Sequence, residues 1–138
     1  MACVFCSILE GRAPAHVVWR DADHAAFLDT SPIAPGHLLL VTRAHVPRAE
    51  DLSAEAHARL FACARLLAPA VADAAGAPRT GIAVEGYGVP HVHVHMVPVW
   101  RGGDLDPCRQ SAASGAELRA AAVRLRGAIE AAGLEASR

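Results

Sequence analysis

Neither lysine nor asparagine occurs in the 138 residues, and all 13 basic side chains are arginine. Any site that ordinarily relies on Lys or Asn is built here without it. Together with 31 alanines this looks like a GC-rich coding bias, so alanine content by itself says little about design. Excess positive charge is also lacking. The formal net charge is -1, which argues against a surface built to neutralise phosphate backbones, and no nucleic-acid partner is expected. No apolar run approaches the roughly 18 residues of a membrane helix. The start, Met1-Ala2-Cys3-Val4-Phe5-Cys6, lacks the basic and apolar regions of a secretory signal. The expected address is the cytoplasm, with no membrane partner, where the four cysteines stay reduced. Hydrophobic residues at 53% and charged residues at 20% suit one folded domain over 1–138. Eight histidines stand out, because mutational bias does not explain where they sit.

The first half reads as short strands, His16 to Arg20 and His24 to Asp29, with Asp21-Ala22-Asp23 as the turn. Pro and Gly make 30–36 a loop, and the nearly all-apolar His37 to Arg43 suits a central strand. Ser53 can cap a helix in which Leu60, Ala64, Leu67 and Val71 share a face, and Pro69 predicts a kink or early end. Thr80 to Glu85 and His91 to Pro98 read as strands around the turn Gly86-Tyr87-Gly88. The 101–113 segment is a loop. The capping box of Ser114 and Glu117 then starts a helix carrying Leu118, Ala122, Leu125 and Ile129, with Gly133 as its stop. The last few residues are expected to fray. These elements predict an α+β domain, helices packed on one face of an antiparallel sheet.

His91, His93 and His95 alternate with Val92, Val94 and Met96. In a strand this places three imidazoles on one face, roughly 6.5–7 Å apart, and Val, Val and Met in the core. Three readings follow: a solvated edge, a metal site, or chemistry at phosphorus. The last suits histidine best, because its unperturbed pKa lies near neutrality. A nucleophilic imidazole needs one ring nitrogen free and the other donating to a fixed acceptor, such as a backbone carbonyl.

The run His91-Val92-His93-Val94-His95-Met96-Val97 is similar to the triad pattern of the histidine triad (HIT) superfamily. The segments Cys3 to Gly11, Ala26 to Asp29, Ser31 to His37 and Leu38 to His45 fall in the order that family uses, so the resemblance covers roughly residues 1–100, with 101–138 adding a loop and a C-terminal helix. It implies a HIT-like fold of about five antiparallel strands and two main helices. It implies a nucleotide hydrolase acting at an α-phosphate, typically homodimeric, with a purine nucleotide as substrate and no organic cofactor. By position, His93 is the nucleophile that carries the nucleotidyl group, His95 contacts the phosphate and leaving group, and His37 supports the site. Phe27, Leu28, Asp29 and Thr30 border the nucleoside, Asp29 accepting from ribose hydroxyls. Taken alone, Asp29 is also an ordinary turn residue, Phe27 and Leu28 fit a core equally well, and Ile8 and Leu9 suit pocket wall or core.

The chain departs from the family between Val84 and Pro90, where an Asn and a Gln-Ser or Gln-Thr pair are usual. Gly88 has no hydroxyl there, and backbone N–H groups of the glycine-rich turn are left to contact phosphate. The spacing Cys3-x2-Cys6 reads as a redox motif or as two buried thiols. The resemblance to a bacterial zinc-containing branch implies instead a closed structural Zn2+ site of Cys3, Cys6, His45 and His91. Cys63 and Cys108 are expected to be structural, and His16, His24 and His57 to lie at the surface. The leading expectation is hydrolysis of a nucleoside phosphoramidate, an adenylate or a dinucleoside polyphosphate. Nucleotidyl transfer to phosphate, or nucleotide binding without catalysis, are the alternatives.

Overall fold

The computed structural model describes residues 3–138. Its five strands are β1 (Val17–Arg20), β2 (His24–Leu28), β3 (Leu38–Thr42), β4 (Arg79–Ala83) and β5 (His93–Val99). They form one antiparallel sheet in the order β1-β2-β3-β5-β4. Three α-helices accompany them, α1 (Val4–Leu9), α2 (Ala54–Ala75) and α3 (Gly115–Ala131). This is the expected α+β architecture with two main helices.

Every residue of β2 and of β3 is buried, because both faces of the sheet's centre are covered. On one face, Ala26, Leu28, Leu38, Leu40, Val94 and Met96 pack under Leu60, Leu67 and Val71 of α2 and Ala122, Leu125 and Ile129 of α3. On the other, Phe5 of α1 covers Ala25, Phe27, Leu39 and Val41. Each fully buried Leu, Ile or Phe contributes about 1.5–3 kcal/mol of transfer free energy. The smaller core matters for function, since His93 and His95 point to its side of the sheet while Val94 and Met96 enter the larger one.

Several expectations need correction. Helix α2 runs through Pro69 and ends only at Gly76, which caps it with φ of 67°. The ring sits on the exposed face together with Arg65, whose carbonyl loses its partner where water can replace it, while Leu67, Ala70 and Val71 stay buried. Strand β5 begins at His93 rather than His91, and the N–H of Val92 donates to the Val46 carbonyl. Helix α1 had no counterpart in the sequence reading. The C-terminal tail is pinned rather than frayed: Ser137 N–H donates to Val18 O at 2.8 Å, and Arg126 Nε donates to Ser137 O at 2.7 Å. His24, expected at the surface, is 4% exposed beneath α2, because its alternate position on β2 faces the helices. His16 is half-buried and His57 exposed, while Cys63 is buried and Cys108 exposed in a short 3-10 turn. No helix among the described residues is long and apolar enough to cross a membrane.

Candidate functional site

Strand β5 presents His95 between Leu39 of β3 and Ala83 of β4, and presents His93 opposite Val41, beyond the end of β4. The two rings lie 5.0 Å apart between centroids at an interplanar angle of 70°. That is closer than strand spacing suggests, because the rings tilt toward each other. His91 leaves the ladder and turns its ring to the cysteines. The three imidazoles stay on the Phe5 side of the sheet, as the alternation predicts, but they do not share one site: two belong to a cleft and one to a metal-type cluster.

Backbone partners settle the tautomers. His93 Nδ1 lies 2.7 Å from the His91 carbonyl. A carbonyl only accepts, so Nδ1 carries the proton and Nε2 keeps its lone pair. A second chain runs the opposite way. The N–H of Ile33 donates to His37 Nδ1 at 3.0 Å, which places the His37 proton on Nε2. That Nε2 donates to His95 Nδ1 at 3.0 Å, leaving His95 with its proton on Nε2. Burial pushes His37 down to about 4, with Asp29 opposing the shift and His95 adding to it. Burial, followed by His93, also lowers His95, against the carboxylates of Asp29 and Glu85. Burial thus favours neutral rings in this pair, and His95 offers a neutral N–H beside the lone pair of His93.

A cleft of about 490 Å³ opens over these rings. Asp29, Phe27, Leu28, Thr30 and Gly88 all line it, together with Phe5, Ile8, Val89, His93, His95 and Gln110. His37 is fully buried behind His95 and reaches an adjoining cavity of about 280 Å³. Phe27 and Leu28 are both wall and core. Ile8 is wall and also packs on the smaller core, whereas Leu9 only packs on that core. Asp29 is a turn residue that also borders the cleft. Its Oδ1 accepts from the N–H of Ser31 at 2.8 Å in a local turn, and its Oδ2 lies 3.4 Å from Gln110 Nε2 and 3.6 Å from His37 Nε2. Gly36, with φ of 95°, reverses the loop so that His37 N–H bonds Ala34 O and returns the chain to β3.

Gln110 and Glu85 are among the cleft residues that escaped the sequence reading. Gln110 comes from the segment read only as a loop. That segment is zipped to the 30–32 loop by Ala113 N–H to Thr30 O and Ser111 N–H to Pro32 O, and Gln110 Nε2 donates to Ser31 O at 2.8 Å. Its one signal was to be a carboxamide in a chain without asparagine. Glu85 lines both the cleft and the adjoining cavity from the stretch where the family's Asn is missing.

Cys3 caps α1 and Cys6 lies one turn on, so both thiols face the same way. Cys3 Sγ and Cys6 Sγ lie 3.4 and 3.6 Å from His91 Nδ1, Cys6 Sγ lies 3.4 Å from His45 Nδ1, and the two Nδ1 atoms lie 3.3 Å apart. With Zn–S of about 2.3 Å and Zn–N of about 2.0–2.1 Å, tetrahedral ligands stand about 3.6 Å (S to N) and about 3.3 Å (N to N) apart. His91 Nε2 donates to the Thr42 carbonyl at 2.6 Å, which leaves Nδ1 as the ligand atom. The donor set fits a closed tetrahedral site.

Comparison with known proteins adds a family. A HIT domain match spans residues 10–101. An uncharacterised HIT-like protein of Mycobacterium tuberculosis is 36% identical over 124 residues, 86% of this chain and 83% of its own. An adenosine 5'-monophosphoramidase of Schizosaccharomyces pombe is 29% identical over 104 residues, 71% of this chain and 74% of the relative. A bis(5'-nucleosyl)-tetraphosphatase of the same yeast is 34% identical over 89 residues, 61% of this chain and 49% of that enzyme. Among solved structures, a zinc-bound histidine triad family protein of Mycobacterium smegmatis superposes with a TM-score of 0.82 at 28% identity, covering 95% of each chain.

Proposed function

Because the chain belongs to the HIT domain family, whose members similar to it include nucleotide hydrolases, we propose that it cleaves nucleotides at the α-phosphate through a covalent intermediate on His93. The substrate is a purine nucleoside phosphoramidate, an adenylate or a dinucleoside polyphosphate. The observation that carries this reading is the pair of opposed tautomers, a lone pair on His93 Nε2 beside an N–H on His95 Nε2, both rings lining one cleft. The Nε2 lone pair attacks phosphorus, a P–N bond forms, and the bond to the leaving group breaks with its electron pair. The positive charge that develops on the His93 ring is met at Nδ1–H by the His91 carbonyl. His95 donates to the phosphoryl oxygen or leaving atom, where negative charge gathers. Water then attacks phosphorus, the P–N bond breaks, and the nucleoside monophosphate departs. Asp29 borders the ribose, Phe27, Leu28 and Thr30 the nucleoside, and the Gly88 backbone the phosphate.

Cys3, Cys6, His45 and His91 hold structural Zn2+ in this reading. When bound, the ion ties α1 to the segment entering β5 and so steadies the His91 carbonyl that orients His93. Two copies pair as a homodimer. The half-exposed apolar side chains Ile82 and Val84, on and just after edge strand β4, support that pairing.

The test is AMP release from adenosine phosphoramidate and from diadenosine tetraphosphate. His93→Ala is expected to lose at least about 10³-fold in turnover while still binding AMP. Unchanged turnover in that variant overturns the mechanism. Binding of AMP by wild-type protein with no release from either substrate makes the chain a binding module.

A further inference from the structure

On the face of the sheet opposite the cleft, a second set of metal-type donors converges. His24 opens β2 beneath α2, Cys63 comes down from α2, and Asp21 reaches in from the turn between β1 and β2. Cys63 Sγ lies 3.3 Å from His24 Nδ1 and 3.7 Å from Asp21 Oδ2, and the latter lies 3.2 Å from His24 Nδ1. Around one tetrahedral cation of zinc size, a thiolate, an imidazole and a carboxylate stand about 3.3–3.6 Å apart. We propose that Asp21, His24 and Cys63 form a second, separate site for a borderline-soft divalent cation such as Zn2+ or Co2+, with three protein ligands and one open position.

Three features support a built site over a chance hydrogen-bonded cluster. Asp21 Oδ1 is already held by the N–H groups of Asp23 at 2.8 Å and His24 at 2.7 Å, so the carboxylate is oriented and Oδ2 is presented as the ligand. His24 and Cys63 are both nine-tenths buried on regular elements, which fixes their directions. An entry path exists, because the Asp21 side chain is 41% exposed and His24 also borders a cleft of about 270 Å³ with Thr42, Asp51 and Ser53. Ion uptake expels the Cys63 thiol proton to solvent, and the His24 proton moves from Nδ1 to Nε2. No electron is exchanged.

The site is independent of the Cys3 cluster, and cobalt counts both. Full-length wild-type protein, stripped and reloaded with Co2+, is expected to bind two ions per chain. Cys63→Ser is expected to bind one, with circular dichroism unchanged. The double variant Cys3→Ser/Cys6→Ser is expected to keep one ion and a thiolate-to-cobalt charge-transfer band, since Cys63 remains. Stoichiometry and band intensity of the wild type left unaltered by Cys63→Ser overturn the proposal. If Cys63→Ser does not fold, the double variant decides: a charge-transfer band removed there by His24→Gln supports the site, and no band overturns it.

Discussion

At the scale of single residues, hydrogen bonds from the backbone decide the chemistry of the histidines. The alternation at His91, His93 and His95 is visible in the sequence. Which nitrogen of each ring is free depends on Ile33, Thr42 and the His91 carbonyl, which come from three parts of the chain. His37 shows the energetic side. Between the ordinary value of 6.5 and about 4, the unfolded chain holds a proton on this imidazole that the folded chain does not. Stability therefore rises with pH across that window, is complete above 6.5, and falls on acidification to about 4, by roughly 3 kcal/mol at most. Urea midpoints taken from neutral pH down to pH 4 are expected to fall less steeply in His37→Gln, whose amide can still accept from Ile33 and donate to His95. Equal slopes in the two proteins count against a neutral buried His37. Gln110 braces the Asp29 loop with about one hydrogen bond's worth of free energy, roughly 1 kcal/mol. Steady-state kinetics of Gln110→Ala are expected to show KM for the nucleotide raised about five-fold with kcat little changed. An unaltered KM removes Gln110 from nucleotide binding.

At the scale of elements, period and caps were readable where one element decides its own fate. Ser53 and Ser114 cap α2 and α3, each accepting a backbone N–H at 3.1 Å. The β2 and β3 segments lie within one residue of expectation. The early end considered at Pro69 does not occur because local propensity is a weak prior, and the buried stripe of α2 outweighs one missing hydrogen bond on the wet face. Its cost should still be measurable. Pro69→Ala restores the bond to Arg65 and is expected to raise stability by about 1–3 kcal/mol in urea titration. A destabilised variant would mean that the ring is instead needed for the path of the helix. Helix α1 was illegible, since at 6 residues it is too short to show a period and is held by Phe5 beneath it.

At the scale of the whole molecule, the C-terminal third completes what the first hundred residues begin. The 110–113 stretch supplies a cleft wall, α3 covers the sheet beside α2, and the tail at Ser137 returns to β1. Removing residues 135–138 deletes the Val18 and Arg126 bonds to Ser137 and is expected to lower stability by about 1–2 kcal/mol in chemical denaturation. A loss below about 0.3 kcal/mol would mean that the tail is only laid down on the surface. Such long-range contacts have no sequence signature, because 137 meets 18 only after the sheet and α3 have formed.

The sequence by itself determined the α+β class and the strand that carries the histidines, because these follow from periodicity and spacing within short segments, and its motifs carried the resemblance that implied the family and the four candidate metal ligands. Only the tertiary structure decided that His91 parts from its two neighbours, that Gln110 and Glu85 join the cleft, and that His24 and Cys63 meet Asp21 beneath α2. Each of these depends on which carbonyl, carboxylate or ring is brought within about 3 Å by a different element, and that proximity is a product of packing rather than of order along the chain.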